Sequence, residues 1–472
     1  MYSDNPGAEQ AVHELDRTDV ECYMISGGKV FERYFDCPLG NHPDGKRVKV
    51  FVRHIVPIDK LDQMHKLPFL LYLQGGPGFP SMFPGNVKSA WHAAAIEHGH
   101  QLLLLDQRGT GLSKPRISWE TLDSDKDLAT DEQKAEYLTH FRADNIVRDC
   151  EHIRKVLTKG RTDPESQKLI LLGQSFGGFC ITTYLSLHPE GVSKAMITGG
   201  VPPITAPGPY EVYDRLYPRM ISRNQQYYGK YPQDVERIRK IIKYLDQNEV
   251  LLPNGGRLSP RRFQQLGLEF GFAGGFDTVH LIVVNCEQDL ATMGKLGYNT
   301  LNAIQMQQFW DTSVIYAILH EAIYCQEGTV SGWAAHRVRM DKYCKEFECR
   351  WEELEKEPGR PVYMTGETVH PWMLDDYAEL RPLKRVGELL AEYKGWTKLY
   401  DEAQLAKNTV PVSGISYYKD MFVDVGLSEE CAAKIKGFQQ WVTNEYTHNG
   451  LFDDTRVFAR LFDLLKGDIT DL

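Results

Sequence analysis

Short apolar runs of strand length recur along the first two hundred residues, each closed by small or polar residues. They are VKVFVRHIV (48–56), PFLLYLQ (68–74), QLLLLDQ (101–107), KLILLGQ (168–174) and KAMITGG (194–200). Between the later runs the apolar positions shift to helical spacing. Residues 84–98 are one such stretch, and 132–158 is another, with Phe141, Ile146, Cys150, Ile153 and Val156 on one face. Uninterrupted apolar strands alternating with helices predict an α/β fold, with a mostly parallel central sheet covered on both sides. Two further strand patterns come only near the end, TVPVSGISYY (409–418) and FQQWVTNE (438–445). The intervening stretch has a different character, helical and rich in Tyr, Trp, Arg and Glu, with Pro and Gly breaks at 202–209, 253–260 and 358–361. The economical division is residues 1–205 as an N-terminal extension plus the first part of the core, 206–400 as a helical insertion, and 401–472 as the rest of the core.

Composition narrows the function classes. The chain has 472 residues, 42% hydrophobic and 25% charged, with a formal net charge of −10. That balance disfavours nucleic acid and anionic membrane surfaces, which call for clustered Lys and Arg. No apolar run is long enough to span a bilayer. The polar, acidic N-terminus lacks the basic and apolar regions of a secretory signal. Nine scattered cysteines read as reduced core residues, and together these features predict a cytoplasmic protein. Neither CxxC pairs nor an HExxH sequence occur, so no metal or organic cofactor is expected.

The chemistry begins at LLGQSFGGFC (171–180), where Gly173-Gln174-Ser175-Phe176-Gly177 follows an apolar strand and precedes a helical stretch. Flanking glycines let the backbone turn sharply there, which makes Ser175 either a nucleophile whose hydroxyl projects above the end of the strand or a small residue in a tight loop. Gly75-Gly76-Pro77-Gly78 follows the strand at 68–74, and a glycine-rich turn can present bare N–H groups to an oxyanion. Gly76 and the Phe176 amide are the candidate oxyanion donors. The segment DQRGTGLS (106–113) carries Asp106 and Arg108, which read as residues pinning loops beside the site.

Taken together, LQGGPGF, DQRGTGLS and GQSFGGF resemble the proline iminopeptidase (prolyl aminopeptidase) family of α/β-hydrolase serine peptidases, in its longer form with a large helical cap. TGETVHPWM (365–373), YYKDMFVD (417–424) and WVTNEYTHNGL (441–451) extend the likeness from about residue 30 to about 465. In that fold the triad order is Ser, then Asp or Glu, then His. Six histidines follow Ser175, at 188, 280, 320, 336, 370 and 448, and His448 alone lies beyond the last strand. Asp420 and Asp424 both follow the strand at 409–418; Asp420 is nearer its end and matches the family's position. The resemblance implies release of an N-terminal residue, preferentially proline, from short peptides with a free N-terminus. It also implies that cap carboxylates hold the substrate's amine, for which Glu367 and Glu321 are the candidates. SGWAAHRV (331–338) departs from the pattern, with His336 where an acidic residue is expected. The rival readings are an esterase or amidase on the same scaffold and a catalytically silent binding protein. Oligomeric state is left open.

Overall fold

The computed structural model describes residues 19–40 and 45–467, so the polar N-terminal stretch used above lies outside the described residues. Among the described residues nine strands form one sheet: β1 (Asp19–Ile25), β2 (Gly28–Pro38), β3 (Arg47–Pro57), β4 (Phe69–Leu73), β5 (Gln101–Asp106), β6 (Leu169–Gln174), β7 (Val192–Thr198), β8 (Val412–Tyr417) and β9 (Phe438–Thr443). Their spatial order is β1-β2-β3-β5-β4-β6-β7-β8-β9. The six strands from β5 to β9 in that order run parallel, and β1, β2 and β3 join antiparallel at one edge.

Side chains alternate across the strands, and both faces are apolar. Leu70, Leu102, Leu104, Ile170, Leu172 and Ile415 belong to one buried cluster, while Leu71, Leu73, Leu103, Leu105, Leu171 and Ile197 belong to the other. A sheet with two apolar faces must be covered on both. The helices that concern the core and the site are α1 (Ala90–Glu97), α2 (Asp131–Leu138), α3 (Ala143–Leu157), α4 (Phe176–Leu187), α5 (Pro209–Lys230), α6 (Ala334–Lys342), α7 (Val425–Lys434) and α8 (Arg456–Lys466). The first cluster takes Trp91 and Ala95 of α1 with Phe458 and Leu461 of α8; the second takes Ile146 and Cys150 of α3 with Cys180 and Tyr184 of α4.

Three details differ from the sequence reading. The pair β1 and β2 carries Glu21, Lys29, Glu32, Arg33 and Asp36 among its apolar residues, which breaks the continuous runs used to find strands. The pattern at 132–158 is two helices, α2 and α3, separated at 139–142, where Arg142 turns inward to donate to the Cys325 carbonyl. The helix expected over 84–98 begins only at Ala90, because 84–89 is turn, with Asn86 Oδ1 accepting from the Lys88 amide.

Between β7 and β8 the described chain forms helices and loops, with one isolated bridge between Leu251 and Arg257. Among the described residues no helix is long and apolar enough to cross a membrane.

Candidate active site

Ser175 occupies the single residue between β6 and α4, with φ 54° and ψ −124°. A non-glycine residue held at positive φ costs about 1–3 kcal/mol and persists only where its surroundings fix it. Here the Ser175 amide donates to Thr198 at 2.8 Å, and its carbonyl accepts from Gly178 at 2.8 Å. Register does the rest. Pairing of Leu73 with Gly173 brings the turn after β4 against the turn after β6. A Cβ on Gly75 would lie 2.9 Å from the Ser175 Cβ, so the glycine-rich turn abuts the serine directly. Gly76 follows at φ 118°. The Phe176 N–H lies in the first turn of α4, where an α-helix supplies no acceptor of its own.

Asp420 lies in the turn that closes β8. Its Oδ1 accepts from the Phe422 amide at 2.8 Å and the Val423 amide at 3.3 Å, which fixes the carboxylate and leaves Oδ2 for His448 Nδ1 at 2.6 Å. Asp424 points elsewhere. It caps α7 through the Leu427 amide and pairs with Arg219 of α5 at 2.5 Å. The His448 ring is buried edge-on to Phe422, with centroids 4.9 Å apart. Burial works against its charged form, but the charge and hydrogen bond of Asp420, aided by Glu367, outweigh it and raise the His448 pKa above the usual histidine value.

The loop that carries His448 is tied to the loop that carries Ser175. Gln174 Nε2 donates to the His448 carbonyl at 2.8 Å. In the turn after β7, a Cβ on Gly199 would fall 3.1 Å from that carbonyl, and one on Gly200 would fall 1.9 Å from the Ser175 carbonyl. Ser175 and His448 therefore flank the same two residues.

The chain between β7 and β8 packs over this point. The segment at 314–318 packs on the glycine-rich turn, since a Cβ on Gly78 would lie 2.8 Å from the Tyr316 amide nitrogen. Tyr316 in turn donates its hydroxyl to Glu367 Oε1 at 2.5 Å. Burial pushes the Glu367 carboxyl up to about 7, opposed by His448 and the Tyr316 bond and reinforced by Asp420. Glu367 is thus within electrostatic reach of the His–Asp pair. Glu321 is also buried and pushed up to about 7 by burial, but its oxygens accept from the Ala334 and Ala335 amides at 2.9 Å each. It caps the start of α6.

Besides Tyr316, Gln174 and Glu269 escape the sequence reading. Gln174 passed as the variable position of G-x-S-x-G. Glu269 is a partly buried carboxylate raised by desolvation to about 7, close enough to Tyr316 to influence it electrostatically. Its segment also holds the His448 loop, as the Gly271 carbonyl accepts from the His448 amide at 3.2 Å. The signal was a lone charge inside the apolar run LGLEFGF (266–272). Arg108 lies buried against Asp149, at 2.8 and 2.6 Å, and donates to the carbonyls of Pro38, Leu39 and His140, while Asp106 accepts from Ser81 and Leu112. His336 stands edge-on to His370, 5.7 Å away.

Residues 68–252 match the family described as alpha/beta hydrolase fold. Over 445 residues the chain is 39% identical to a proline iminopeptidase of Aeromonas sobria, covering 94% of this chain and 98% of that one. The chain belongs to the proline iminopeptidase family. A second relative, the proline iminopeptidase aneH of Aspergillus aculeatus, is 40% identical over 420 residues, covering 88% of this chain and 89% of its own. The crystal structure of a proline iminopeptidase from Mycobacterium smegmatis aligns over 92% of this chain and 100% of that one, with 14% identity and a TM-score of 0.37. Membership in the proline iminopeptidase family agrees with the α/β-hydrolase sheet and with a serine at the turn after its sixth strand.

Proposed function

We propose that this chain is a serine aminopeptidase that releases the N-terminal residue, preferentially proline, from short peptides through an acyl-enzyme. The observation that carries the reading is the His448–Asp420 pair beside the Ser175 turn, with the buried Glu367 carboxylate in electrostatic reach, in a chain so similar to named proline iminopeptidases. Ser175 Oγ attacks the carbonyl carbon of the first residue while His448 takes its proton, and Asp420 holds the imidazole tautomer and stabilises the imidazolium. The amides of Gly76 and Phe176 receive the oxyanion. Collapse breaks the C–N bond, and His448 returns the proton to the departing peptide's amine. Water, deprotonated by the same histidine, then hydrolyses the ester and frees Ser175.

The insertion, residues 206–400, serves as a cap that selects substrates by their amine. An α-amine has a pKa of about 8 and enters as the ammonium at neutral pH. A cation in an apolar enclosure needs an anionic partner, and Glu367 is that partner. Glu321, expected to be a second one, supports the pocket through the start of α6. Glu269, whose charge reaches Tyr316 and whose carboxylate oxygens cap no helix, is the candidate to share the charge.

The test is a panel of aminoacyl-arylamides with free and blocked amines. Fast cleavage of the proline compound and poor cleavage of its blocked form are expected. Preferential hydrolysis of blocked acyl esters would replace this reading with an esterase, and failure of a fluorophosphonate to label Ser175 would remove serine catalysis altogether.

A further inference from the structure

His320 is 1% exposed, and neither of its ring nitrogens has a hydrogen-bond partner. A buried imidazole with both polar atoms unpaired costs free energy at each, so its retention calls for a reason. The ring stands edge-on to three aromatic neighbours: Tyr316 at 5.2 Å, Tyr324 at 6.3 Å and Trp310 at 6.4 Å. Trp310 and Tyr316 themselves stack at 4.3 Å. This packing holds the imidazole in one place, with Nε2 3.8 Å from Glu367 Oε2. The other carboxylate oxygen already accepts from Tyr316. Glu367 therefore sits between two donors, one engaged and one about half an ångström beyond hydrogen-bond range.

We propose that His320 is a positioning residue for the amine pocket: when a substrate ammonium draws Glu367 into its ionised form, the imidazole donates Nε2–H to Oε2 and fixes the carboxylate opposite Tyr316. The inference rests on the reading of Glu367 as the amine's partner. No covalent bond is made or broken; the carboxyl loses its proton to solvent and gains a donor. Burial favours the neutral imidazole, pushing the His320 pKa down to about 3, so the ring supplies a hydrogen bond without adding a competing positive charge. The other groups that sense Glu367 are Tyr213 on α5, Tyr316 and Tyr324 beside His320, and His448 with Asp420 on the core side. Glu269 influences Tyr316 and Glu321 influences Tyr213 and Tyr324.

The experiment compares His320→Phe, which keeps an aromatic ring without the donor, with His320→Gln, which keeps an N–H. Both are assayed across pH on proline arylamide and on a blocked ester. A hydrogen bond to a charged group predicts a KM rise of about 10- to 100-fold for His320→Phe on the free amine. Its kcat should change little, and the acid limb of kcat/KM should move to higher pH. His320→Gln should recover most of the loss, and the ester should be hydrolysed equally by all three proteins. A normal KM and acid limb in His320→Phe, or an equal loss on the ester, would overturn the proposal. A defective Glu367→Gln beside a normal His320→Phe removes His320 alone, whereas a normal Glu367→Gln removes the amine reading and His320 with it. A readout independent of folding of the His320 variants is the imidazole N–H resonance of ¹⁵N-histidine-labelled Ser175→Ala protein. Adding proline amide should shift one N–H downfield and protect it from exchange, a change lost with His320→Gln; an unaltered spectrum at saturating proline amide counts against the proposal.

Discussion

Gln174 Nε2 donates to the main-chain carbonyl of His448 at 2.8 Å, while Gln174 Oε1 accepts from the Thr198 hydroxyl at 2.5 Å. One side chain thus links the end of β6, the end of β7 and the loop that carries His448. It touches no reacting atom, yet it sets where the His448 backbone lies relative to Ser175.

Gln174→Ala is expected to lower kcat by about 10- to 100-fold, because small displacements of a general base are costly, with KM little changed. Gln174→Glu keeps the size but loses the donor and should fare no better. Steady-state kinetics with proline arylamide check this, with circular dichroism to establish that the fold is kept. A normal kcat in both variants would show that the bond is incidental.

The two aspartates of YYKDMFVD have separable jobs. Asp420→Asn should cost roughly 10⁴-fold in kcat, since the amide supports the wrong His448 tautomer. Asp424→Asn keeps a good helix cap and loses only its pairing with Arg219. It should destabilise by about 1 kcal/mol and leave kcat within a fewfold of wild type. Thermal melts and kcat measured on both proteins separate these outcomes, and a crippled Asp424→Asn would exchange the roles.

The pH profile should differ between substrate types. In its proposed role as base His448 must be neutral, and its raised pKa means that this form is lost, as pH falls, at a higher pH than for an ordinary histidine. In its proposed role as the amine's partner Glu367 must be ionised, and its carboxylate is lost as pH falls through about 7. Free-amine substrates need both groups deprotonated, so log kcat/KM should approach a slope of two on the acid side. A blocked ester needs only His448 and should show a slope of one. The two groups sense each other, so the limbs report values of the pair. Equal slopes would remove Glu367 from the binding step.

How legible this was depended on where each residue stood. Ser175, Asp420 and His448 each follow a strand of the core, and chain order in the fold narrowed the search to one histidine and two aspartates. The choice between Asp420 and Asp424 turned on side-chain direction, which spacing does not reveal. The proposed amine pocket was harder to see because Glu269, the Tyr316–His320 segment and Glu367 are far apart in the chain and are brought near one another only by tertiary packing. Glu321 shows the same limit from the other side. In LHEAIYCQ it reads like Glu367, a carboxylate on a helical stretch, and only the position of α6 turns it into a cap.

The proposed amine pocket yields the prediction that separates an aminopeptidase from a general hydrolase. Glu367→Gln keeps the shape and the Tyr316 contact but removes the charge that a buried ammonium requires. Losing such a partner typically costs about 2–5 kcal/mol, or roughly 30- to 5,000-fold in kcat/KM. The loss should be confined to free-amine substrates, because a blocked ester brings no cation into the pocket. Glu321→Gln should behave differently. Its amide offers one oxygen where the carboxylate offers two, so the start of α6 loses an acceptor and thermal stability falls, with losses on free-amine and blocked substrates rising together. Glu269→Gln should follow Glu367→Gln in kind and to a smaller degree. Parallel kinetics of the three variants on proline arylamide and a blocked ester assign the charge: if Glu321→Gln alone shows the selective loss, the amine belongs to Glu321, and if none of them does, the cap selects substrates by some other feature.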